Sequence, residues 1–194
     1  MSTYLYFPEW TEDHRTHAWF WLAQRRAKGK ALPEVRASRH STGRNTPQGA
    51  LADLRAGDTL YIVLHGPPGC EYASTIYENG RQCRYSPLAL ALHLQREDLP
   101  QVPLRIKLWI CGSGATWVSP QSGEVIQWPF AARLKYELVW LDYDAVSVIG
   151  YEAPILDTMI QPIANHTGRH KQAAWGTHEQ PIGHTRASLT RVQF

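Results

Sequence analysis

Runs of apolar residues that end in Gly or Pro recur along this chain. The two strongest occupy residues 59–69 and 104–115, and a third lies at residues 145–150. Runs of β-branched and large apolar side chains bounded in this way are typical of buried strands that stop at their carboxyl ends. A shorter run at residues 3–7, ended by Pro8, predicts a first strand.

Segments with apolar residues at helical spacing separate these strands. They predict helices at residues 11–28, 86–97 and 129–141. Ser86 and Pro87 suit the N-cap and first position of the second helix. The alternation of strands and helices predicts an α/β fold, in which helices on both faces of a mainly parallel sheet form a three-layer α/β/α sandwich.

Other parts of the chain carry weaker patterns. Gly, Pro and polar residues interrupt them, which favours loops. The expected loops lie at residues 31–57, with a short helix at 49–54, and at residues 67–83 and 116–129, while residues 188–194 alternate as a short strand would.

Length and charge limit the classes of protein that fit. The 194 residues, 43% of them hydrophobic, are enough for one domain with a real core. The formal charge of +3 is small and scattered, so composition does not favour a nucleic-acid partner. The densest basic region is best interpreted as a solvated loop, with Lys28, Lys30, Arg36, Arg39 and Arg44.

Cysteine usage and the absence of long apolar runs indicate the compartment. Three cysteines, Cys70, Cys83 and Cys111, are too few for a disulfide scaffold, which favours a reducing environment, although a Cys70–Cys83 pair stays open. No apolar run approaches the roughly 18 residues that span a bilayer, and the N-terminus is too polar for a signal peptide. We expect a protein that is cytoplasmic where it is made and has no membrane span; export would need another signal.

A histidine and a cysteine end the two strongest strands. His65 is followed by Gly66, and Cys111 is followed by Gly112. In a parallel sheet both groups would lie at the carboxyl edge, where a histidine can activate a thiol. Glycines beside them leave main-chain N–H groups accessible to a developing oxyanion. The combination predicts acyl transfer.

These segments resemble the caspase-like cysteine peptidases. The strand ending in His65 and Gly66 is followed, about 45 residues later, by a strand ending in Cys-Gly-Ser-Gly at residues 111–114. That arrangement is similar to the clan of caspases, gingipains, clostripain and the self-cleaving domain of large bacterial toxins. Residues 130–134 and 146–151 resemble small bacterial members, so the likeness covers roughly residues 60–151.

The resemblance implies a caspase-like sandwich over residues 1–194, with its core at about 58–151 and a C-terminal flap or tail at 152–194. It also implies a cysteine endopeptidase with His65 as general acid and base, Cys111 as nucleophile, and the N–H groups of Gly66 and Cys111 as the oxyanion hole. Several small members are effectors or toxins secreted into target cells, which would imply a dedicated secretion system and a neutralising partner.

Trp109 marks a departure from the family. Members specific for Arg or Lys carry an acid two residues before the cysteine, where this chain has Trp109. Side chains two apart on a strand share a face, so we expect Trp109 to line the substrate pocket, together with Gly112 and Ser113. A small or apolar residue should then precede the cleaved bond.

Other functions fit less well. The alternative from another class is a non-catalytic or partner-gated relative that binds an extended peptide in the same groove. Zinc sites have characteristic ligand spacings, and two sets of residues in this chain lack them. We therefore expect no metal. The two sets are His65, Cys70, Cys83 and Cys111, and the later histidines His166, His170, His178 and His184.

The C-terminal tail is basic, which bears on whether a ligand activates the protein. In the toxin domains a basic surface that reaches the flap binds inositol hexakisphosphate, and the resemblance permits such an activator here. Ordinary solvated charge is the favoured interpretation, and we expect no cofactor; the basic residues are Arg169, His170, Lys171, Arg186 and Arg191.

Overall fold

The computed structural model describes residues 1–38, 49–67, 69–119, 121–152, 155–156, 172–176, 181–186 and 190–194. In chain order its elements are β1 (Thr3–Phe7), α1 (Glu12–Ala27), β2 (Glu34–Ala37), β3 (Thr59–Val63), β4 (Ala73–Ile76), β5 (Gln82–Tyr85), α2 (Pro87–Arg96), β6 (Arg105–Trp109), β7 (Trp117–Val118), β8 (Val125–Gln127), α3 (Phe130–Trp140), β9 (Ser147–Tyr151), β10 (Ile155–Leu156), β11 (Gln172–Gly176), β12 (Pro181–Arg186) and β13 (Arg191–Gln193).

A six-stranded sheet in the order β13-β9-β6-β3-β1-β2 forms the centre of the molecule. Five neighbouring strands, from β9 to β2, are parallel, and β13 pairs antiparallel with β9 at the edge. The expected α/β class and mainly parallel sheet are therefore confirmed. The strands β10, β11 and β12 form a separate antiparallel sheet in the C-terminal region.

Helices cover both faces of the central sheet. On one face, α1 buries Ala18 and Trp21 in a cluster with Leu5, Phe7 and Val63. On the other face, α2 and α3 pack against the sheet in the larger cluster. Successive side chains of a strand point to opposite faces of the sheet, so one strand can contribute to both clusters. The larger cluster includes Leu90, Leu94, Leu134 and Leu138 from the helices and Leu60, Ile62, Ile106 and Val148 from the sheet.

Helix ends follow the sequence closely. Thr11 caps α1, where its Oγ1 accepts a hydrogen bond from the His14 N–H at 3.3 Å. Ser86 caps α2 in the same way, with the Ala89 N–H at 3.1 Å. Gly29 follows α1 at φ +61°, a conformation that glycine adopts without strain. The three predicted helices are confirmed to within a residue or two.

Three predicted loops contain strands that the sequence did not indicate. Residues 31–57 include β2, residues 67–83 include β4 and the start of β5, and residues 116–129 include the hairpin of β7 and β8. The short helix expected at residues 49–54 was wrong, because this segment forms turns. These strands lie at an edge or in small hairpins and have two to four residues each, too few for a clear apolar periodicity.

The contacts of Arg36 show that the basic region is not entirely the solvated loop that the sequence suggested. It lies on β2, its guanidinium binds both carboxylate oxygens of Asp53, and it stacks over the ring of Tyr4 at 4.4 Å. Arg36 therefore fastens the edge strand to the turn at Asp53. Arg39 and Arg44 of the same region lie outside the described residues.

Close backbone packing fixes the turn that carries Cys111 to the end of β9. The N–H of Gly114 donates to the carbonyl of Tyr151 at 2.8 Å. A Cβ on Gly150 would lie 2.6 Å from the nitrogen of Gly114 and 2.8 Å from its Cα. No side chain fits at position 150 without a backbone shift, and a Cβ on Gly114 would be tight, at 3.0 Å from backbone atoms of Gly150 and Tyr151.

Substitution of Gly150 by alanine tests this packing. We expect Gly150→Ala to lower the free energy of unfolding by about 3 kcal/mol or more, because the clash is with backbone atoms that cannot rotate away. The measurement is urea denaturation. Gly29→Ala is the control: its Cβ would meet nothing within 4 Å, so only the positive φ should cost about 1 kcal/mol. Equal losses in the two variants would contradict the account.

Candidate active site

The carboxyl ends of β3 and β6 bring His65 and Cys111 to one edge of the sheet. Val63 pairs with Trp109 in the parallel register, and the N–H of Leu64 donates to the carbonyl of Trp109 at 3.3 Å. His65 and Cys111 each follow the Val63–Trp109 pair by two residues. The two residues therefore leave adjoining strands at equivalent positions, as the sequence predicted for a common edge.

This edge is also where the strand order reverses. From β3 the chain continues to β6 and β9, whereas β1 has β2 on its other side. Such a switch point opens a crevice at the carboxyl ends of the two central strands, which is a common ligand site in α/β sheets. Here the crevice lies between β1 and β3, and α1 begins directly after β1. The first turn of α1 is thereby placed beside His65.

His65 has a carboxylate partner on α1. Its Nε2 lies 3.1 Å from Oδ2 of Asp13. An ionised carboxylate only accepts hydrogen bonds, so Nε2 is the nitrogen that donates, and Nδ1 is the lone-pair nitrogen of the ring in its neutral form. The rings of His14 and His17 lie beside it, with centroids 6.2 Å and 5.9 Å from that of His65. His65 remains partly exposed, with 44% of its side chain accessible.

His14 lies beneath this pair and is fully buried. Its Nδ1 donates to the backbone carbonyl of Glu9 at 2.6 Å. Burial lowers the pKa of His14 to about 4, with smaller effects from Glu9, His65, Asp13 and His17. His14 is therefore neutral near pH 7. Among the described residues, its Nε2 has no hydrogen-bond partner.

The carboxylate of Glu9 binds three polar side chains of the β4–β5 hairpin. It accepts hydrogen bonds from the hydroxyls of Tyr77 at 2.6 Å and Tyr85 at 2.7 Å, and from the thiol of Cys83 at 3.5 Å. Burial and this carboxylate raise the pKa of Tyr77 to about 12. Glu9 thus ties the end of β1 to the hairpin of β4 and β5.

Cys111 begins a tight turn that packs on β9. Gly112 adopts φ +60°, and the N–H of Ser113 donates to the carbonyl of Ile110 at 3.3 Å. The hydroxyl of Ser113 accepts a hydrogen bond from the N–H of Tyr151 at 3.3 Å, and its side chain is buried. Cys111 itself is only half-buried.

Gly66 lies close to the same turn. A Cβ at this position would be 2.8 Å from Sγ of Cys70 and 3.0 Å from Cγ2 of Ile110. The chain after His65 therefore runs directly against the residue that precedes Cys111, and glycine makes this approach feasible.

Trp109 lies on the α1 face of the sheet. Its ring meets those of Trp21 and Tyr151 edge to face, at centroid distances of 5.0 Å and 5.9 Å. It is half-buried, so part of the ring packs in this aromatic cluster. Its role as a pocket wall, like those of Gly112 and Ser113, stays a prediction.

The other two cysteines differ from Cys111 in their surroundings. None of the three thiols forms a disulfide, so the Cys70–Cys83 pair left open by the sequence is not formed. Burial raises the pKa of Cys70, and burial together with the carboxylate of Glu9 raises the pKa of Cys83. Both thiols are thereby held in the protonated, unreactive form.

An open cleft of about 380 Å³ lies beside His65. Asp13 forms one wall, and the end of β4 with the turn that follows it forms the other, through Ile76, Tyr77 and Glu78. Its size suits a few side chains of an extended peptide.

Sequence reasoning missed Asp13, His14 and Glu9. Asp13 lies in the first turn of a predicted helix, where acids are common, and none of the three belongs to a motif. The available signal was their position, because polar residues directly after β1 must lie beside the end of β3 if those strands are neighbours. The later histidines and most of the basic tail, apart from Arg191, lie outside the side chains that the structure describes.

No model of a known protein family matches the chain, and no characterised protein matches its sequence significantly. Within the described residues, no helix combines the length and apolar character needed to cross a membrane.

The buried neutral imidazole of His14 predicts a pH-dependent stability. In the unfolded chain this histidine takes up a proton near pH 6.5, whereas the folded protein resists protonation to about pH 4. Its contribution is complete above pH 6.5 and is lost as the pH falls. We expect the free energy of unfolding to drop by about 2 kcal/mol from pH 7.5 to pH 5.

Urea denaturation of chelator-treated protein at the two pH values measures this drop. The His14→Gln variant retains every other titrating group, so its stability should change by about 2 kcal/mol less than that of the parent over the same interval. An identical pH dependence in both proteins would contradict the assignment.

Proposed function

We propose that this protein is a cysteine endopeptidase in which His65 and Cys111 form the catalytic dyad. The observation that carries the proposal is the register of β3 on β6, which sets the two residues at equivalent positions of adjoining strand ends. The hydrogen bond from His65 to Asp13 adds to it, since a histidine oriented by a carboxylate is the usual base for a nucleophile of this kind. A caspase-like arrangement of the sandwich is part of the proposal.

Asp13 and His65 prepare the thiol for attack. The hydrogen bond to Asp13 keeps the ring proton on Nε2, so that Nδ1 accepts the proton of Cys111. The thiolate then attacks the carbonyl carbon of the scissile peptide. The resulting oxyanion receives hydrogen bonds from the backbone N–H groups of Gly66 and Cys111. Here Asp13 acts as a positioning residue.

Collapse of the tetrahedral intermediate breaks the peptide C–N bond. The leaving amine takes the proton from His65, and the acyl group remains on Cys111 as a thioester. A water molecule then attacks the thioester carbonyl while His65 accepts its proton. The carboxylic acid leaves, the thiol is restored, and no cofactor takes part in these steps.

The proposal assigns a protein or peptide substrate to the cleft beside His65. Trp109, Gly112 and Ser113 are proposed to shape the pocket for the residue before the cleaved bond, with a preference for a small or apolar side chain. An effector or toxin function, with secretion into a target cell and a neutralising partner in the producing cell, rests on the resemblance of residues 60–151. Activation by an inositol phosphate is the less favoured part of that resemblance.

Selective alkylation tests the dyad without a known substrate. We expect iodoacetamide at pH 7.5 to modify Cys111 at least tenfold faster than Cys70 or Cys83, because the other two thiols are held protonated. Peptide mass mapping over time gives the three rates. His65→Ala should reduce the rate at Cys111 to that of an ordinary thiol.

Proteolysis provides the second measurement of the same prediction. Cys111→Ala should abolish cleavage of a peptide library and retain the melting temperature, whereas Cys83→Ser, the control, should cleave normally. Retained cleavage by Cys111→Ala would refute the mechanism. Equal labelling of all three cysteines would instead favour the peptide-binding alternative.

Asp13→Asn tests the positioning of His65. The amide can donate to Nε2 as well as accept from it, so the ring no longer has one preferred tautomer. We expect alkylation of Cys111 to slow about tenfold or more, and nitrogen NMR of His65 should show a loss of the Nε2–H form. Glu12→Gln is the matched control, because this neighbouring acid pairs with Arg15 instead.

An Asp13→Asn protein that is alkylated at the parent rate would show that the carboxylate does not position the histidine. A variant that slows alkylation but keeps the Nε2–H form of His65 would contradict the tautomer argument.

A further inference from the structure

Three potential metal ligands meet at the start of α1. One ligand atom each from Asp13, His14 and His65 lies within 4.8 Å of the other two. Within this set, Nε2 of His65 and Oδ2 of Asp13 are 3.1 Å apart. The set combines two imidazoles with one carboxylate, although their positions in the sequence follow no metal motif. Two of the three side chains are partly exposed, so an ion could reach them from the cleft.

The orphaned nitrogen of His14 points to a ligand. Its ring is fully buried, and Nδ1 donates to the carbonyl of Glu9. Nε2 must therefore carry a lone pair, and it has no partner among the described residues. An unsatisfied buried acceptor destabilises the fold, and coordination of a cation would offset that loss.

The hydrogen bond from Nδ1 of His14 to the carbonyl of Glu9 is of a kind that metal-ligating histidines usually have. A hydrogen bond from the second ring nitrogen to a backbone carbonyl fixes the tautomer and the orientation of the ring. Glu9 is itself held by Tyr77 at 2.6 Å and Tyr85 at 2.7 Å. The ring of His14 is thus held in place, whereas the side chains of Asp13 and His65 are about half exposed, at 50% and 44%.

We propose that Asp13, His14 and His65 bind a zinc ion. Two imidazoles and one carboxylate are a common protein ligand set for Zn²⁺, with bonds of about 2.0–2.2 Å and a fourth position open to water. Tetrahedral bonds of this length place ligand atoms about 3.3 Å apart, close to the 3.1 Å between His65 and Asp13. The other separations within the set are at most 4.8 Å, so closure around the ion requires shifts of at most about 1.5 Å.

Zinc at this site would inhibit the dyad, a consequence that rests on the proposed function. A metal on Nε2 of His65 keeps the ring proton on Nδ1, because a neutral imidazole has one proton and two nitrogens. No lone pair then remains to accept the proton of Cys111. Binding of the ion and activation of the thiol are mutually exclusive uses of the same histidine.

Zinc binding is tested on the Cys111→Ala, Cys83→Ser protein, in which neither of the more accessible thiols can bind the ion. Competition with a chromophoric chelator at pH 7.5 should give one Zn²⁺ per chain. Co²⁺ should give the visible spectrum of a four-coordinate nitrogen and oxygen site without a thiolate charge-transfer band. In this background, Asp13→Asn and His65→Gln should each weaken binding roughly a hundredfold, and Glu12→Gln should leave it unchanged.

His14→Gln should weaken zinc binding to the same extent. Because a change at this buried position can also impair folding, the Asp13→Asn and His65→Gln variants decide the test. Absence of stoichiometric zinc would overturn the site, and so would affinity unchanged in both Asp13→Asn and His65→Gln. In the parent protein, saturating Zn²⁺ should slow alkylation of Cys111 at least tenfold, and chelation should restore the rate.

The two proposals fail separately. If Cys111 shows no enhanced reactivity in metal-free protein, the dyad is refuted while the zinc measurements stand. If zinc binds but alkylation of a reactive Cys111 continues at the same rate, the inhibitory effect is refuted while the site stands.

Discussion

The parallel register of β3 on β6 is the constraint on which the site depends. Pairing of Val63 with Trp109 sets both strand ends level, so His65 and Cys111 emerge at equivalent positions. A slip of one residue would exchange the side chains of β3 that pack against α1 with those that pack against α2 and α3. The apolar residues on both faces of β3 therefore fix the site as well as the fold, since their burial against α1 on one side and α2 and α3 on the other allows one register.

The start of α1 supplies the second part of the site. Because β1 neighbours β3, the helix that follows β1 begins beside the end of β3, and its cap at Thr11 sets the orientation of the first turn. Asp13 then reaches His65, while His14 turns inward to the carbonyl of Glu9. One helical turn thus provides an exposed carboxylate that orients a histidine and a buried imidazole that can share a cation with it.

The sequence predicted the elements that bury large apolar faces. The four strands with apolar runs and the three helices followed from residue pattern and capping, and the ends of β3 and β6 carried a recognisable pair of reactive residues. Edge strand β2 was missed because its four residues are too few for a clear periodicity, and Arg36 is held by Asp53 from a distant turn. Asp13 and His14 were missed because only the strand order, a tertiary property, brings them to His65.

A crystal structure of the protein inactivated by a peptidyl chloromethyl ketone would test the central claim most directly. The account predicts a thioether on Sγ of Cys111, with Nδ1 of His65 facing that sulfur and Nε2 bonded to Asp13. The peptide should occupy the cleft between α1 and the end of β4. An adduct on Cys70 or Cys83, or an imidazole of His65 turned away from the sulfur of Cys111, would contradict the account.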